Sequence, residues 1–112
     1  MYKRQRLDYV VAGHPPPVRV RGDAVQPLLS TGPPVGLLDQ AAWSAGSQRL
    51  LAGDRIVLYT DGVAEGATDE LARRLRAAAS QGPAEARDAL LSAAAAGGVE
   101  DDRTVLVAEV EA

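Results

Sequence analysis

The run RIVLYT, residues 55–60, constrains the fold of this 112-residue chain more than any other stretch. It is continuously apolar after Arg55 and is bounded by Ala52-Gly53-Asp54 before and Asp61-Gly62 after, the pattern of a central strand buried on both faces. Such a strand needs neighbours. LDYVVAG, residues 7–13, is β-branched and aromatic and reads as a strand ending at Gly13. Pro15, Pro16 and Pro17 then fix a stiff turn leading into a short strand at residues 18–21, closed by Arg21-Gly22-Asp23. The stretch from Ala24 onward is broken by Gly32-Pro33-Pro34 and predicts a loop. Trp43 to Leu51 is expected to be a strand, and RTVLVAEV, residues 103–110, another.

From Thr68 the period changes to helical. Thr68 fits an N-cap, Asp69 and Glu70 suit the positive end of a helix dipole, and Leu71, Leu75 and Ala79 recur on one face. Ser80-Gln81-Gly82 ends that helix. Pro83 suits the first position of a second one, with Ala86, Leu90 and Ala93 on a shared face and Gly97-Gly98 as its stop. Strands, two consecutive helices and a last strand do not make the alternation of a doubly wound sheet. The order predicts an α+β fold, a mostly antiparallel sheet with an antiparallel helix pair on one face.

Apolar residues make up 46% of the chain, yet there is no Phe, one Trp and three Tyr, so the core must be built mainly from Leu, Val and Ala. A net charge of −3 and a single lysine, Lys3, argue against a nucleic-acid surface, which needs clustered cations. The absence of Cys removes disulfides and thiolate metal sites and suits a reducing compartment. No apolar run is long enough for a signal peptide or a membrane span, so a soluble, cytoplasmic protein is expected, with neither nucleic acid nor membrane as partner.

Asp61 stands where the buried strand runs out, before a Gly, and Asp101-Asp102 stand just before the last strand. Adjacent strands could bring Asp61 and Asp101 together despite their separation in sequence. Carboxylates that close resist joint ionisation unless a cation lies between them, and oxygen donors without Cys or a nearby His suit Mg²⁺ or Mn²⁺. The alternative stays open at this point: Asp-Gly is a common turn, and an acid pair before a strand is often a solvated loop. Two phosphate-handling folds that also place Asp at a strand end fail here. A haloacid-dehalogenase-type site needs an Asp where Tyr59 stands, and a response-regulator receiver needs a Lys after its last strand.

YVVAGHPPPVRVR, GPPVGLL, LLAGDRIVLYTDGVAEG and VEDDRTVLVAEV, in that order, resemble the C-terminal half of bacterial PPM-type (PP2C-like) serine/threonine phosphatases of the stage-II-sporulation-E/RsbU-like subgroup. The resemblance implies part of an α-β-β-α sandwich and two Mn²⁺ or Mg²⁺ ions bound by acids, with water attacking a phosphoserine or phosphothreonine in line. It matches Asp61 and Asp101 to metal ligands that share the second ion, with Asp102 beside them. It places His14 in the AGHPPP turn, away from the metals, in a turn-fixing role. Glu65 resembles the last position of a TDGxxE pattern, and GPPVGLL looks structural.

Departures accompany the match. The family's N-terminal half carries an Asp-Gly strand whose carboxylate bridges both ions, and nothing before Leu7 supplies it. The loop after TDGVAEG lacks the Phe-Gly pair of relatives. MYKRQ, residues 1–5, is unlike the family and is expected to be a non-native leader, which makes residues 6–112 the C-terminal part of a phosphatase domain. The expected function is that of a metal-dependent protein phosphatase fragment, inactive alone, whose intact parent acts on a phosphoprotein such as an anti-sigma-factor antagonist in stress or sigma-factor signalling. The alternative is a catalytically inactive phosphatase-like binding module.

Overall fold

A computed structural model describes residues 5–29, 31–97 and 102–111. The elements in chain order are β1 (Gln5–Tyr9), β2 (Val18–Arg21), β3 (Ala24–Pro27), β4 (Gly46–Leu50), β5 (Arg55–Tyr59), α1 (Asp69–Ala77), α2 (Pro83–Ala96) and β6 (Val105–Glu109). Every strand ladder is antiparallel. Four strands form one sheet in the order β3-β2-β5-β6, and β1 pairs with β4 in a second, two-stranded sheet. β5 is therefore an inner strand, as its apolar run predicts.

Because side chains alternate along a strand, Val18, Val20, Val57, Tyr59 and Val105 share one face of the larger sheet. That face packs with Leu71 and Leu75 of α1 and Leu90 of α2 into the main core, joined by Val63 from the loop after β5. The buried residues of this cluster are Val and Leu apart from one Tyr, in keeping with a chain without Phe. The opposite face is less covered. Leu58 and Leu106 are cross-strand partners there and are 41% and 52% exposed, so the expectation that β5 is buried on both faces fails at Leu58.

Several boundaries differ from the sequence reading, each for a local reason. β1 leaves its ladder at Tyr9 and does not run to Gly13, because Thr31 takes Val11 over: its Oγ1 accepts the Val11 amide at 2.9 Å and its amide donates to the Val11 carbonyl at 3.0 Å. β3 replaces the first part of the predicted loop. It folds back on β2 through Gly22, whose φ of +56° suits a glycine, and Pro27 is accommodated because β3 is an edge strand. β4 starts only at Gly46, since Trp43 is held in the loop by an indole N–H donated to the Pro33 carbonyl at 2.8 Å.

The helices follow their signals closely. Thr68 caps α1 by accepting the Leu71 amide at 3.2 Å, and Pro83 opens α2. α1 ends one residue early for the predicted face: Ala78 is buried in place of Ala79, and in α2 Ala94 is buried where Ala93 was expected. Gly97 closes α2, and Gly98 lies outside the described residues.

Two arginines lock the layers. Arg55 is buried and donates to the carbonyls of Ala78, at 3.2 Å, and Gln81, placing a cation at the negative end of α1, while its Nε pairs with Glu109 at 3.0 Å. Arg21 grips Asp54 through two bonds, Nε to Oδ1 at 2.8 Å and Nη2 to Oδ2 at 2.7 Å. Asp54 also accepts the Leu51 amide at 2.8 Å across a turn whose Gly53 has φ +86°. The carboxylate is 1% exposed, and its hydrogen bonds from Arg21 hold it below the ordinary Asp range against the opposing effect of burial.

Tyr59 presents the opposite case. Its hydroxyl is buried without a hydrogen-bond partner among the described residues, and burial pushes its pKa up. A buried hydroxyl left unpaired costs about 1–3 kcal/mol. Tyr59→Phe is therefore expected to leave stability unchanged or raise it by about 1 kcal/mol, measured by urea unfolding. A loss of more than about 1 kcal/mol would show that the hydroxyl has a partner.

Candidate metal centre

The ladder between β5 and β6 ends at the pair Tyr59↔Val105, so the C-terminal end of one strand lies beside the N-terminal end of the other. Beyond it, the Thr60 amide donates to the Thr104 carbonyl at 3.1 Å, and the Thr104 amide donates back to the Thr60 hydroxyl at 3.0 Å. The same hydroxyl donates to the Asp102 carbonyl at 3.3 Å. Two segments 42 positions apart are thereby joined at one end of the sheet.

Asp61 follows at once, in a tight turn closed by the Val63 amide donating to the Thr60 carbonyl at 2.9 Å. Val63 is 7% exposed and inserts into the core, which pins the turn and leaves the Asp61 carboxylate facing solvent. Asp102 is also exposed at this end. Asp101, the other predicted ligand, lies outside the described residues, although its neighbour Asp102 is placed beside the end of β5.

Among the described residues no group of three or more His, Cys, Asp or Glu side chains gathers as a complete metal cage. The donors that are present are carboxylates and backbone carbonyls, the set that suits a hard divalent cation and not a soft one. In kind, then, these residues fit Mg²⁺ or Mn²⁺. In number, the described residues are too few to enclose such an ion by themselves.

The remaining predicted positions fall elsewhere. His14 is exposed, and its Nδ1 lies 2.9 Å from the Pro15 carbonyl, a bond internal to the proline turn. Glu65 is exposed in the loop before α1. The proline part of GPPVGLL is structural: Gly13, at φ +66°, leaves no room for a side chain against Pro34, and Gly32 none against Trp43. Val35, Leu37 and Leu38 are exposed and take no part in the core. Sequence reasoning missed Val63 as the anchor of the Asp61 turn and Thr60 as the link between segments. The signal for the first was a lone apolar residue after Asp-Gly, too short for any period to reveal.

The model of one family, described as stage II sporulation protein E (SpoIIE), matches residues 2–111. The chain belongs to the SpoIIE family. Its likeness to solved structures is close in shape: the PP2C phosphatase domain of SpoIIE from Bacillus subtilis, solved with a fragment of its regulatory domain, superposes with a TM-score of 0.82 at 25% identity over 95% of this chain and 35% of that one. The RsbU and RsbW domains of Rv1364c from Mycobacterium tuberculosis give 0.73 at 28% identity over 91% of this chain and 31% of theirs. In sequence, the phosphoserine phosphatase RsbP of Bacillus subtilis is 43% identical over 61 residues, which is 54% of this chain and 15% of RsbP. This SpoIIE-family chain thus spans a small part of such relatives, and its two antiparallel sheets and helix pair are part of a PP2C-like sandwich. No helix among its described residues is long and apolar enough to cross a membrane.

Proposed function

We propose that this chain supplies one acidic corner of a metal-dependent protein serine/threonine phosphatase, with Asp61 and Asp101 as ligands of one Mn²⁺ or Mg²⁺ ion. The observation that carries the reading is the β5–β6 pairing, which sets Asp61 and the segment leading from Asp102 at one sheet end. The substrate class is phosphoserine or phosphothreonine on a regulatory protein of stress or sigma-factor signalling, for which an anti-sigma-factor antagonist is the proposed partner. Membership of the SpoIIE family and the likeness to a phosphoserine phosphatase support that class.

The ion, when bound, offsets charge on the phosphoryl oxygens and activates water for in-line attack. The chain's own part is to present the Asp61 carboxylate at the end of β5, beside the segment that leads from Asp102, where a second carboxylate would favour cation binding. Its exposed position leaves the site open to a phosphorylated side chain of another protein. Two carboxylates hold an ion weakly, and a further bridging carboxylate is needed to fix the attacking water.

The test is phosphate release from a phosphoserine peptide with Mn²⁺. The isolated 112-residue chain should release none, and a chimera joining it to the remainder of a SpoIIE-family phosphatase domain should be active. Equal turnover by the isolated chain would contradict the ligand count. An inactive but folded, Mn²⁺-binding chimera would favour a binding module.

A further inference from the structure

β6 ends the order β3-β2-β5-β6, so one of its edges has no neighbour among the described strands. Successive residues of an antiparallel strand turn their backbone groups to opposite edges. The Thr104 carbonyl accepts the Thr60 amide at 3.1 Å and the Val110 amide donates to the Asp54 carbonyl at 2.8 Å, so the even-numbered residues face β5. The backbone groups of Val105, Val107 and Glu109 therefore face outward. Beside that outer edge lies a groove lined by Pro83, Ala84 and Arg87 of α2 and by residues 104–107.

The other edges are guarded. β3 carries Pro27, and β1 and β4 carry Arg6, Asp8 and Arg49. Prolines and charges of this kind keep an edge from pairing with another chain. From Val105 to Ala108, β6 has neither.

We infer that the outer edge of β6 is an interaction surface for a second copy of this chain, which adds its own β6 antiparallel, Val107 against Val107, and joins two four-stranded sheets into one of eight. A two-fold axis through Val107 is the register that overlaps all five residues of the strand. It also matches charge. Arg103 comes opposite Glu111 of the second copy, and symmetry repeats the pair. Glu109 of the second copy, opposite Val105, reaches the groove that Arg87 lines. The edge thus meets its own acidic end with basic groups, which selects a like chain over an unrelated strand. On the open face Leu106 comes opposite Ala108 of the second copy, so the row begun by Leu58 and Leu106 runs on to Ala108 and Ile56 across the axis. No acid assigned to the metal ion takes part, and the surface does not depend on that reading.

Sedimentation velocity of the 112-residue chain over about a hundredfold range of concentration should show a reversible equilibrium that stops at the dimer, because pairing consumes the outer edge. Hydrogen exchange observed by nuclear magnetic resonance locates the contact: the amides of Val105, Val107 and Glu109 should gain at least about tenfold protection in the dimer. Glu111 is exposed, and Glu111→Arg sets two like-charged pairs in register, which should raise the dimer Kd about tenfold. Val107→Pro removes an outward amide and should leave a monomer. Should Val107→Pro not fold, the other three results decide. A dimer whose three amides exchange as in the monomer, or whose Kd ignores Glu111→Arg, overturns the edge pairing. Association that is lost in Leu58→Gln yet indifferent to Glu111→Arg belongs to the apolar face and overturns it too. A chain that stays monomeric, with those amides protected only in the chimera, gives the edge to another strand of the phosphatase domain and overturns the second copy.

Discussion

In the chimera that completes the phosphatase domain, Asp61→Asn is expected to lower Mn²⁺-dependent phosphate release by at least about a hundredfold. Asn keeps the size of Asp and a single carbonyl oxygen but loses the charge that a hard cation selects. The turn should survive, because it is closed by the Thr60 carbonyl and anchored by Val63, neither of which involves the Asp61 side chain. A folded, inactive variant is therefore the predicted phenotype. Asp101→Asn should behave alike if the two acids share one ion. Raising Mn²⁺ should recover part of the loss if the defect is affinity, and none of it if the ion binds but is misplaced. Retention of full activity by Asp61→Asn would remove Asp61 from the site.

The second large effect is on stability. Asp54→Ala is expected to destabilise the fold by about 1–3 kcal/mol, the scale of hydrogen bonds lost at a buried acceptor while Arg21, itself partly exposed, turns to water, against a total of roughly 5–15 kcal/mol for a domain. Asp54 accepts two bonds from Arg21 and one from Leu51, so its removal unpairs β2 from the β4–β5 turn in a single step. The same group sets a pH dependence. Arg21 holds the folded carboxyl below its ordinary value, so its contribution is fully present above the unfolded pKa of roughly 4 and is lost as pH falls through the folded value. Urea midpoints should therefore fall with acidification below about pH 4, and Asp54→Asn should flatten that part of the profile. An unchanged profile in Asp54→Asn would assign the acid sensitivity to other carboxylates.

Arg21 and Asp54 also show where reading a sequence reaches its limit. Ala52-Gly53-Asp54 is legible as a turn because Gly tolerates positive φ, but its partner is 33 positions away and nothing local points to it. Local chemistry was read well wherever it decides structure: the Thr68 cap, Pro83 at the start of α2, β2 at Val18–Arg21 and the inner strand β5. β3 was missed because the Gly32-Pro33-Pro34 break was extended back over Ala24–Pro27, and the strand's Pro27 is tolerated only through an edge position that depends on the order of strands. The end of β1 was misplaced because Val11 is captured by Thr31 across a long loop. The exposure of Leu58 is a matter of which layer covers a face, and periodicity carries no record of that.

The candidate site divides in the same way. Asp61 stood out because an acid and a Gly close an apolar strand, and its relation to the segment before β6 was expected from strand adjacency. Thr60 did not stand out, since a Thr at the end of a strand is ordinary β-sheet composition. Its hydroxyl has meaning only once Asp102 and Thr104 are beside it.

The central claim is that Asp61 and Asp101 serve one hard-cation site at the joined ends of β5 and β6, and a titration of the isotope-labelled chain with Mn²⁺ observed by nuclear magnetic resonance tests it most directly. Paramagnetic broadening falls off steeply with distance from the ion. Substoichiometric Mn²⁺ should first erase the amide signals of residues 60–62 and 101–104 together, and Asp61→Asn should restore both sets. Broadening that begins at other exposed acids, such as Asp8 or Glu70, or that touches one of the two segments without the other, would contradict a shared site.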